Sequence, residues 1–566
     1  MEPVTHSGVS SILEATRALD LAADISRTIR GDVSDAEDIL KKYSRDTSIF
    51  ERTPRIVVFP RDANDVSALV RYVRDAKRGG AAISLTPRSA GTDMTGGPLT
   101  DSISLVFTRH MNHTSVADDA VTAEPGAYYR DVEKKTLRAT GKLIASYPAS
   151  RELCAIGGMV ANNAGGELTL RYGKTDAYVR ALDVVLSDGT RVNMRPLSFS
   201  ELEEKMHSQE FEGEVYAKLY RLLDENRSVI EAARPSVTKN SAGYALWSVI
   251  DYAKRTFDIT KLITGSQGTL AIITSATLEL VRPKQHKAML VVMLSDIEIL
   301  PEIVRRVLLV GPESFESYDD HTFKLGVRFL PQILKQLGPW GMLQMGISFI
   351  PEMLMVLRGG VPKLILMAEF AEDSRDEAVE KARHARAALE GLAVRTKLAK
   401  SAAGAKKYWT VRRESFALLR KNLRGLYAAP FIDDIVVHPE NYPRFIPELN
   451  ALLHEHHLMY TIAGHIGDAN FHIIPLMDLS REEERREILE LAPKVYALAA
   501  RYKGSITGEH NDGIIRTPYL SIMYGEKICA LFAEVKQIFD PYNILNPGKK
   551  VGGTIADIER SMITRA

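Results

Sequence analysis

The sequence predicts an α+β fold with two main domains and an insertion. Three observations predict it. The chain has 566 residues at 45% hydrophobic content, enough apolar material for more than one core at about 150 residues per domain. Its first half alternates short β-like runs with glycine-rich tracts. Beyond Pro283 the texture changes to strand-like runs separated by amphipathic helices, as expected of a sheet with helices on one side.

Ile56 to Pro60 reads as a short buried strand, and Asp62 to Asp65 supply helix-start residues. Val66, Leu69, Val70 and Val73 then recur at helical spacing until Gly79 and Gly80 end the helix. A β-like run, Ala82 to Leu85, leads into the loop Thr86 to Gly97. Strands follow at Ser102 to Phe107 and Val121 to Glu124, then a hairpin from Asp183 to Val192 turned by Asp188-Gly189, then a β-rich stretch from Leu270 to Val281. In the second half Met289 to Leu294 and Leu364 to Phe370 read as strands and Glu377 to Glu390 as a helix. These elements divide the chain into an N-terminal helical segment (1–49), a first domain (50–283), a second domain (284–500) and a C-terminal segment (501–566).

Lys and Arg total 73 against 72 Asp and Glu, a formal charge of +1, so nothing in the charge balance points to nucleic acid. Cys154 and Cys529 are too few and too far apart for a disulfide scaffold, a CxxC pair or a cysteine-ligated cluster, and both read as small buried hydrophobes. Residues 1–30 lack a continuous apolar core, with Asp20, Asp24 and Arg27 interrupting the pattern. A reducing, cytoplasmic setting is the expectation.

The stretch His321 to Pro362 is rich in Leu, Met, Ile, Phe and Gly and has no charged side chain from Gln336 to Pro351. It falls short of the ~20 apolar residues that a spanning helix needs, and Pro331, Pro339 and Pro351 would break it. Two readings remain: an apolar layer on the second domain or on a second subunit of a homodimer, or an anchor lying in a membrane surface on its inner face.

The loop from Pro87 to Gly97 offers consecutive backbone N–H groups with little side-chain obstruction, as a pyrophosphate requires. Such loops are common, and alone it reads more readily as a tight turn than as a phosphate site. No G-x-G-x-x-G follows a strand, and Gly173-Lys174-Thr175 has Leu168 where a P-loop requires its first glycine. Further small-residue tracts stand at Ile156 to Gly166 and at Gly265 to Leu270, and three in one β-rich domain suggest one extended ligand.

The pattern resembles the vanillyl-alcohol oxidase and p-cresol methylhydroxylase type of FAD-binding domain, in the branch with D-lactate, glycolate and D-2-hydroxyglutarate dehydrogenases. The resemblance runs from Tyr43-Ser44-Arg45-Asp46 to the stretch Phe539 to Lys549, and only 321–362 looks foreign to it. It implies a two-part FAD-binding domain at 50–283, an α+β substrate (cap) domain at 284–500, and a C-terminal helical return to the flavin. By the same resemblance Arg88, Ser89, Ala90, Gly91, Thr92 and Asp93 bind the FAD pyrophosphate. Gly157, Gly158, Asn162, Gly165, Gly166, Gly268 and Ile272 line the adenosine and isoalloxazine regions, with Asn546 also assigned to the cofactor. Thr92 stands where some relatives carry a histidine bonded to the flavin, so noncovalent FAD is expected; Gln267 stands where this branch often has glutamate.

Gly464-His465-Ile466-Gly467-Asp468-Ala469-Asn470-Phe471-His472 puts two histidines seven apart across a glycine-containing turn, and Thr507-Gly508-Glu509-His510 follows. Two imidazoles and a carboxylate suit Zn, Mn or Fe; read alone, each histidine is more often a hydrogen-bonded structural residue than a ligand. The resemblance implies His465, His472 and Glu509 as metal ligands and His510 as general base. Asn511-Asp512-Gly513 departs from its usual Gly-hydrophobic-Gly, a change that bears on loop conformation, the acidity of His510 or substrate choice. Trp409-Thr410-Val411-Arg412-Arg413 is similar to the family's W-x-x-R segment, nominating Arg412 and then Arg413 for a substrate carboxylate. On a helix the two point about 100° apart, so at most one faces the site; an exposed salt-bridged face is the other reading.

The expected activity is oxidation of a D-2-hydroxy acid to the 2-oxo acid, with a quinone or an electron-transfer protein as acceptor. Two alternatives compete: a redox-neutral flavin enzyme of the alkyl-glycerone-phosphate synthase type, and a non-catalytic FAD-binding subunit of an electron-transfer complex.

Overall fold

A computed structural model describes residues 21–320, 362–401, 404–412 and 426–564. The predicted strand–helix–strand opens the fold. Ile56–Phe59 and Leu85–Arg88 flank Ile103–Val106 in parallel, and Asp32–Ser34 adds an antiparallel edge. The crossover is the helix Ala63–Arg78, whose Asp62 side chain accepts from the amides of Asn64 and Asp65 and so satisfies first-turn donors. Val66, Leu69, Val70 and Val73 are fully buried against Ile56, Val58, Ile103 and Leu105. One boundary differs from expectation. The second strand covers Leu85–Arg88, because those residues pair with Ile103–Val106, while Ala82 to Ser84 stay outside it. The free loop therefore begins at Ser89.

A five-stranded antiparallel sheet follows, ordered Thr114–Val116, Ala120–Ala123, Ile272–Glu279, Val179–Val185, Arg191–Met194. Its last pair is the hairpin expected from Asp188-Gly189, with Gly189 at φ +89°. The second small-residue tract is in part a short helix, Ile156–Asn162, packed on the strand Ile272–Glu279.

The second half holds an eight-stranded antiparallel sheet ordered Arg395–Ala399, His286–Leu294, Leu364–Glu372, Ser314–Asp319, Met459–His465, Asn470–Met477 and Tyr427–Ala428, with Ile435–Val436 also paired to Asn470–Met477. Alternation divides its faces. Leu290, Val292, Leu366, Ala368 and Phe370 join a core with the helices Leu300–Leu308, Arg375–Ala387, Tyr442–Glu455 and Glu482–Arg501. Met289, Val291, Met293, Ile365, Met367 and Tyr318 turn to the opposite face, where Tyr408 and Val411 of the helical residues 404–412 pack. Helices therefore cover both faces, and the expectation of helices on one side only is corrected by residues 404–412.

The C-terminal segment ties the halves together. After the helix Leu520–Phe539, Leu85 donates to the Ile544 carbonyl (2.7 Å) and Asn546 donates back to Leu85 (2.8 Å). The Asn546 amide donates to the carbonyls of Gly97 (3.0 Å) and Gln267 (2.7 Å) and accepts from Thr86 Oγ1 (3.1 Å). Residues 321–361 lie outside the described residues, so neither reading of that insertion has a structural counterpart here. Among the described residues no helix is long and apolar enough to cross a membrane. Asn546→Ala should strand three buried partners and lower stability by about 2–3 kcal/mol, seen as a reduced thermal midpoint; an unchanged midpoint refutes the bracket role.

Candidate active site

One cavity of about 660 Å³ joins the glycine tracts to the histidines. At one end it is lined by Ser89 to Asp93, Gly157, Gly158, Asn162, Gly165 and Gly268, and at the other by Arg412, Asp433, His465, His472, Glu509 and His510. Three residues assigned to the cofactor do not line it. Gly166 packs on backbone, where a Cβ would fall 2.3 Å from the Tyr147 carbonyl oxygen. Ile272 points into the core of the first sheet while its neighbours Ala271 and Ile273 face the cavity, a consequence of strand alternation. Asn546 spends its side chain on the bracket described above. Arg88 contributes wall, but its guanidinium donates to the carbonyls of Arg45 (2.6 Å) and Tyr43 (3.3 Å).

Close backbone approach explains the glycines best at Gly268. It sits at φ +69°, and a Cβ there would fall 2.3 Å from Pro87 Cγ, so only glycine lets the third tract close on the first. Polar side chains lock the tracts. Asn162 Nδ2 donates to Asp93 Oδ1 (2.7 Å), and Gln267 Nε2 donates to Asn162 Oδ1 (3.2 Å).

The two departures from the family pattern meet here. The Gly513 amide donates to Gln267 Oε1 (2.8 Å), and Asn511 Nδ2 donates to the carbonyls of Gly265 (2.9 Å) and Asn162 (3.2 Å). Asp512 Oδ2 accepts from the Gly243 amide (2.8 Å) and pairs with Lys550 Nζ (2.9 Å), both side chains being fully buried. Asn511 and Asp512 therefore fasten the Glu509-His510 loop to the glycine tracts.

The histidine hairpin folds as its sequence suggests. His465 ends the strand Met459–His465, His472 lies on Asn470–Met477, and Ala469 at φ +59° turns the corner. Each imidazole has its Nδ1 on a carboxylate: His465 on Glu316 (2.7 Å), His472 on Asp433 (3.0 Å) and His510 on the other Asp433 oxygen (3.0 Å). Each Nε2 is thereby turned toward Glu509 Oε1, at 3.1 Å from His465, 3.6 Å from His472 and 3.9 Å from His510. Donors that share one metal at its usual bond lengths stand about 3–3.5 Å apart. The Nδ1-to-carboxylate contacts are the partners that metal-bound histidines take. The donors around Glu509 could hold a divalent cation, and the group whose donor atoms all lie within 4.8 Å of one another is Asp434, His472, Glu509 and His510, without His465.

Charge supports the fit. Burial by itself would lower the His465 imidazole, but the Glu316 and Glu509 carboxylates together outweigh it and lift the group to about 9. Burial likewise opposes protonation of His510, and Asp434 with Asp433 raises it to about 9. A bound cation would replace those protons. An oxygen of Asp434 also lies within 4.8 Å of donor atoms of His472, Glu509 and His510. Its carboxylate is already engaged, however: Oδ2 accepts from Thr507 Oγ1 (2.6 Å) and the amides of Glu509 (2.8 Å) and His510 (2.7 Å), and Oδ1 from Asn470 Nδ2 (2.9 Å). Asp434 shapes the loop.

Sequence reading passed over Glu316, Asp433, Asp434 and Lys239. The acidic pair interrupts the apolar run Phe431 to Val437, and an interruption of that kind is the available signal. Lys239 Nζ holds Glu509 Oε2 at 3.0 Å and Asp468 at 3.3 Å, leaving Oε1 for the histidines. Lys174 donates to the Gly508 carbonyl (2.8 Å), so the false P-loop tail supports the site. Arg412 pairs with Glu316 at the cavity wall, and Arg413 lies outside the described residues. Cys154 is buried in that wall, and burial pushes its thiol up to about 12; Cys529 is only half-buried.

A glycine-loop domain joined to a carboxylate-supported histidine cluster defines a flavin-enzyme architecture, and comparison places it. Residues 54–195 match the family described as FAD binding domain, and residues 283–550 match FAD linked oxidases, C-terminal domain. Both halves of the chain thus match domains of FAD-linked oxidases. It is 28% identical to the D-2-hydroxyglutarate dehydrogenase of Escherichia coli over 89% of its own length and 49% of that protein, so it spans about half the length of such relatives. It is 24% identical to the glycolate oxidase subunit GlcD of Bacillus subtilis over 90% of this chain and 91% of that one. In fold it is similar to the 4-ethylphenol oxidase of Gulosibacter chungangensis, with a TM-score of 0.67 at 16% identity, covering 95% and 98% of the two chains.

Removing one member of the Asp512–Lys550 pair leaves a buried charge alone. Asp512→Ala should cost about 3–5 kcal/mol, and adding Lys550→Met should recover part of that loss. Equal thermal midpoints for the wild type and the single variant would refute this reading.

Proposed function

We propose that this chain is an FAD-dependent dehydrogenase that oxidises a D-2-hydroxy acid to the 2-oxo acid. The supporting observation is that three imidazole Nε2 atoms and Glu509 Oε1 converge in the same cavity as the glycine tracts. The names of the relatives, D-2-hydroxyglutarate dehydrogenase and glycolate oxidase subunit, support the substrate class.

In this reading His465, His472 and Glu509 hold a divalent metal, Zn, Mn or Fe, and the tracts hold FAD noncovalently. When bound, the metal acidifies an alcohol and the flavin accepts hydride. The chain does the rest. Arg412 binds and orients the substrate carboxylate as a planar fork, the role also assigned to Arg413. His510, its Nδ1 fixed by Asp433, presents Nε2 to take the hydroxyl proton. Lys239 and Asp434 keep Glu509 and His510 in place. The electron acceptor in this reading is a quinone or an electron-transfer protein. A cytoplasmic chain in peripheral contact with the inner membrane face, and a homodimer, complete the proposal.

Anaerobic bleaching of the flavin absorbance over D- and L-2-hydroxy acids tests the reaction. Bleaching by D-acids, lost with a chelator, is expected; a flavin that stays oxidised with every acid would leave the redox-neutral or non-catalytic alternatives. His510→Ala should retain flavin and slow bleaching by about 10²–10⁴-fold; wild-type rates would remove His510 from the chemistry. His465→Ala should lose metal, measured by elemental analysis, together with activity, and full activity without metal would sink the ligand set.

A further inference from the structure

The hairpin that carries the histidines also supplies a wall for the substrate's side chain. In its register Ala463 lies opposite His472 and Thr461 opposite Ile474. Side chains alternate along a strand, so residues 461, 463 and 465 share one face, as do 472 and 474. All five line the cavity. Two residues along a strand is about 7 Å, so Ile474 begins that far from His472. That separation suits the group carried on C2 of a hydroxy acid whose hydroxyl and carboxylate lie at the histidines.

The wall is apolar and backed by apolar packing. Ile474 is 5% exposed and Thr461 9%. From the next strands Tyr318 pairs with Ala463 and Ile365 with Tyr318, within the cluster that includes Met289, Val291 and Met367. Among the described residues lining the cavity, the arginines are Arg88 and Arg412. Arg88 is held by carbonyls of the glycine-loop end, and Arg412 is matched by Glu316. A second carboxylate at the far end of the substrate would meet Ile474, Thr461 and Ala463 and, among the described residues lining the cavity, no further arginine or lysine.

Resting on the reaction proposed above, we infer that Thr461, Ala463 and Ile474 form an apolar side-chain subsite. It selects D-2-hydroxy acids with uncharged, apolar side chains over 2-hydroxy dicarboxylates. Ile474 is the specificity-determining residue.

The flavin-loaded protein is tested in two ways. Bleaching rates are compared for D-2-hydroxybutyrate, D-2-hydroxy-4-methylpentanoate and D-2-hydroxyglutarate. Separately, 2-oxo-4-methylpentanoate and 2-oxoglutarate are titrated into the oxidised protein and followed through the flavin spectrum. The apolar acids should exceed 2-hydroxyglutarate in kcat/KM by roughly tenfold or more, and the two oxo acids should rank alike in affinity. Ile474→Lys should narrow or invert both ratios in protein that keeps its flavin, and Ile474→Ala should move the optimum to longer chains. Preference of the wild type for the dicarboxylates overturns the subsite, as do ratios that neither substitution moves. If either variant loses flavin, the wild-type ranking decides. Oxo acids ranked as expected with no bleaching by any acid would sink the reaction and keep the subsite.

Discussion

The site depends on pairing every cavity-facing imidazole with a buried carboxylate. An imidazole has two ring nitrogens, and fixing one fixes the direction of the other. Glu316 and Asp433 take the three Nδ1 atoms, so the Nε2 atoms of His465, His472 and His510 face Glu509. Carboxylates at this burial are costly unless paired. That cost is offset by the histidines, Arg412 and Lys239, and the charge left over favours a cation at the centre. The same arrangement that suits a metal raises His465 and His510 when no metal is bound.

Position comes from the fold around this cluster. Glu316 stands on the strand beside the histidine hairpin, where Ser317 pairs with Gly464. Asp433 and Asp434 precede the short strand Ile435–Val436 that pairs with Asn470–Met477. Glu509 and His510 arrive from the C-terminal segment and are held by Asp434 on one side and by Asn511 and Asp512 on the other. The departure at 511–513 serves attachment, because Asn511 and Gly513 bond to the glycine tracts and Asp512 to Lys550. Gln267 suits that attachment, its amide offering an acceptor to Gly513 and a donor to Asn162 at once.

The sequence by itself determined the local elements and the chemistry-bearing motifs. Period-3.6 spacing with an Asp cap identified the helix Ala63–Arg78, Asp188-Gly189 identified its hairpin, and the spacing of His465 and His472 placed them on one hairpin. Glycine-rich tracts announced close backbone approach, though not which residues face the ligand. Ile272 and Ala271 look alike in a linear apolar run, and only the pairing of Ile272–Glu279 with its neighbours decided which side each takes. The tertiary structure alone decided that Glu316, Asp433 and Lys239, distant along the chain, meet Glu509 and the histidines. Local pattern reports how a residue relates to its own strand or helix. Charge compensation in a buried site depends on which strands lie side by side, and that is fixed by the packing of the whole sheet.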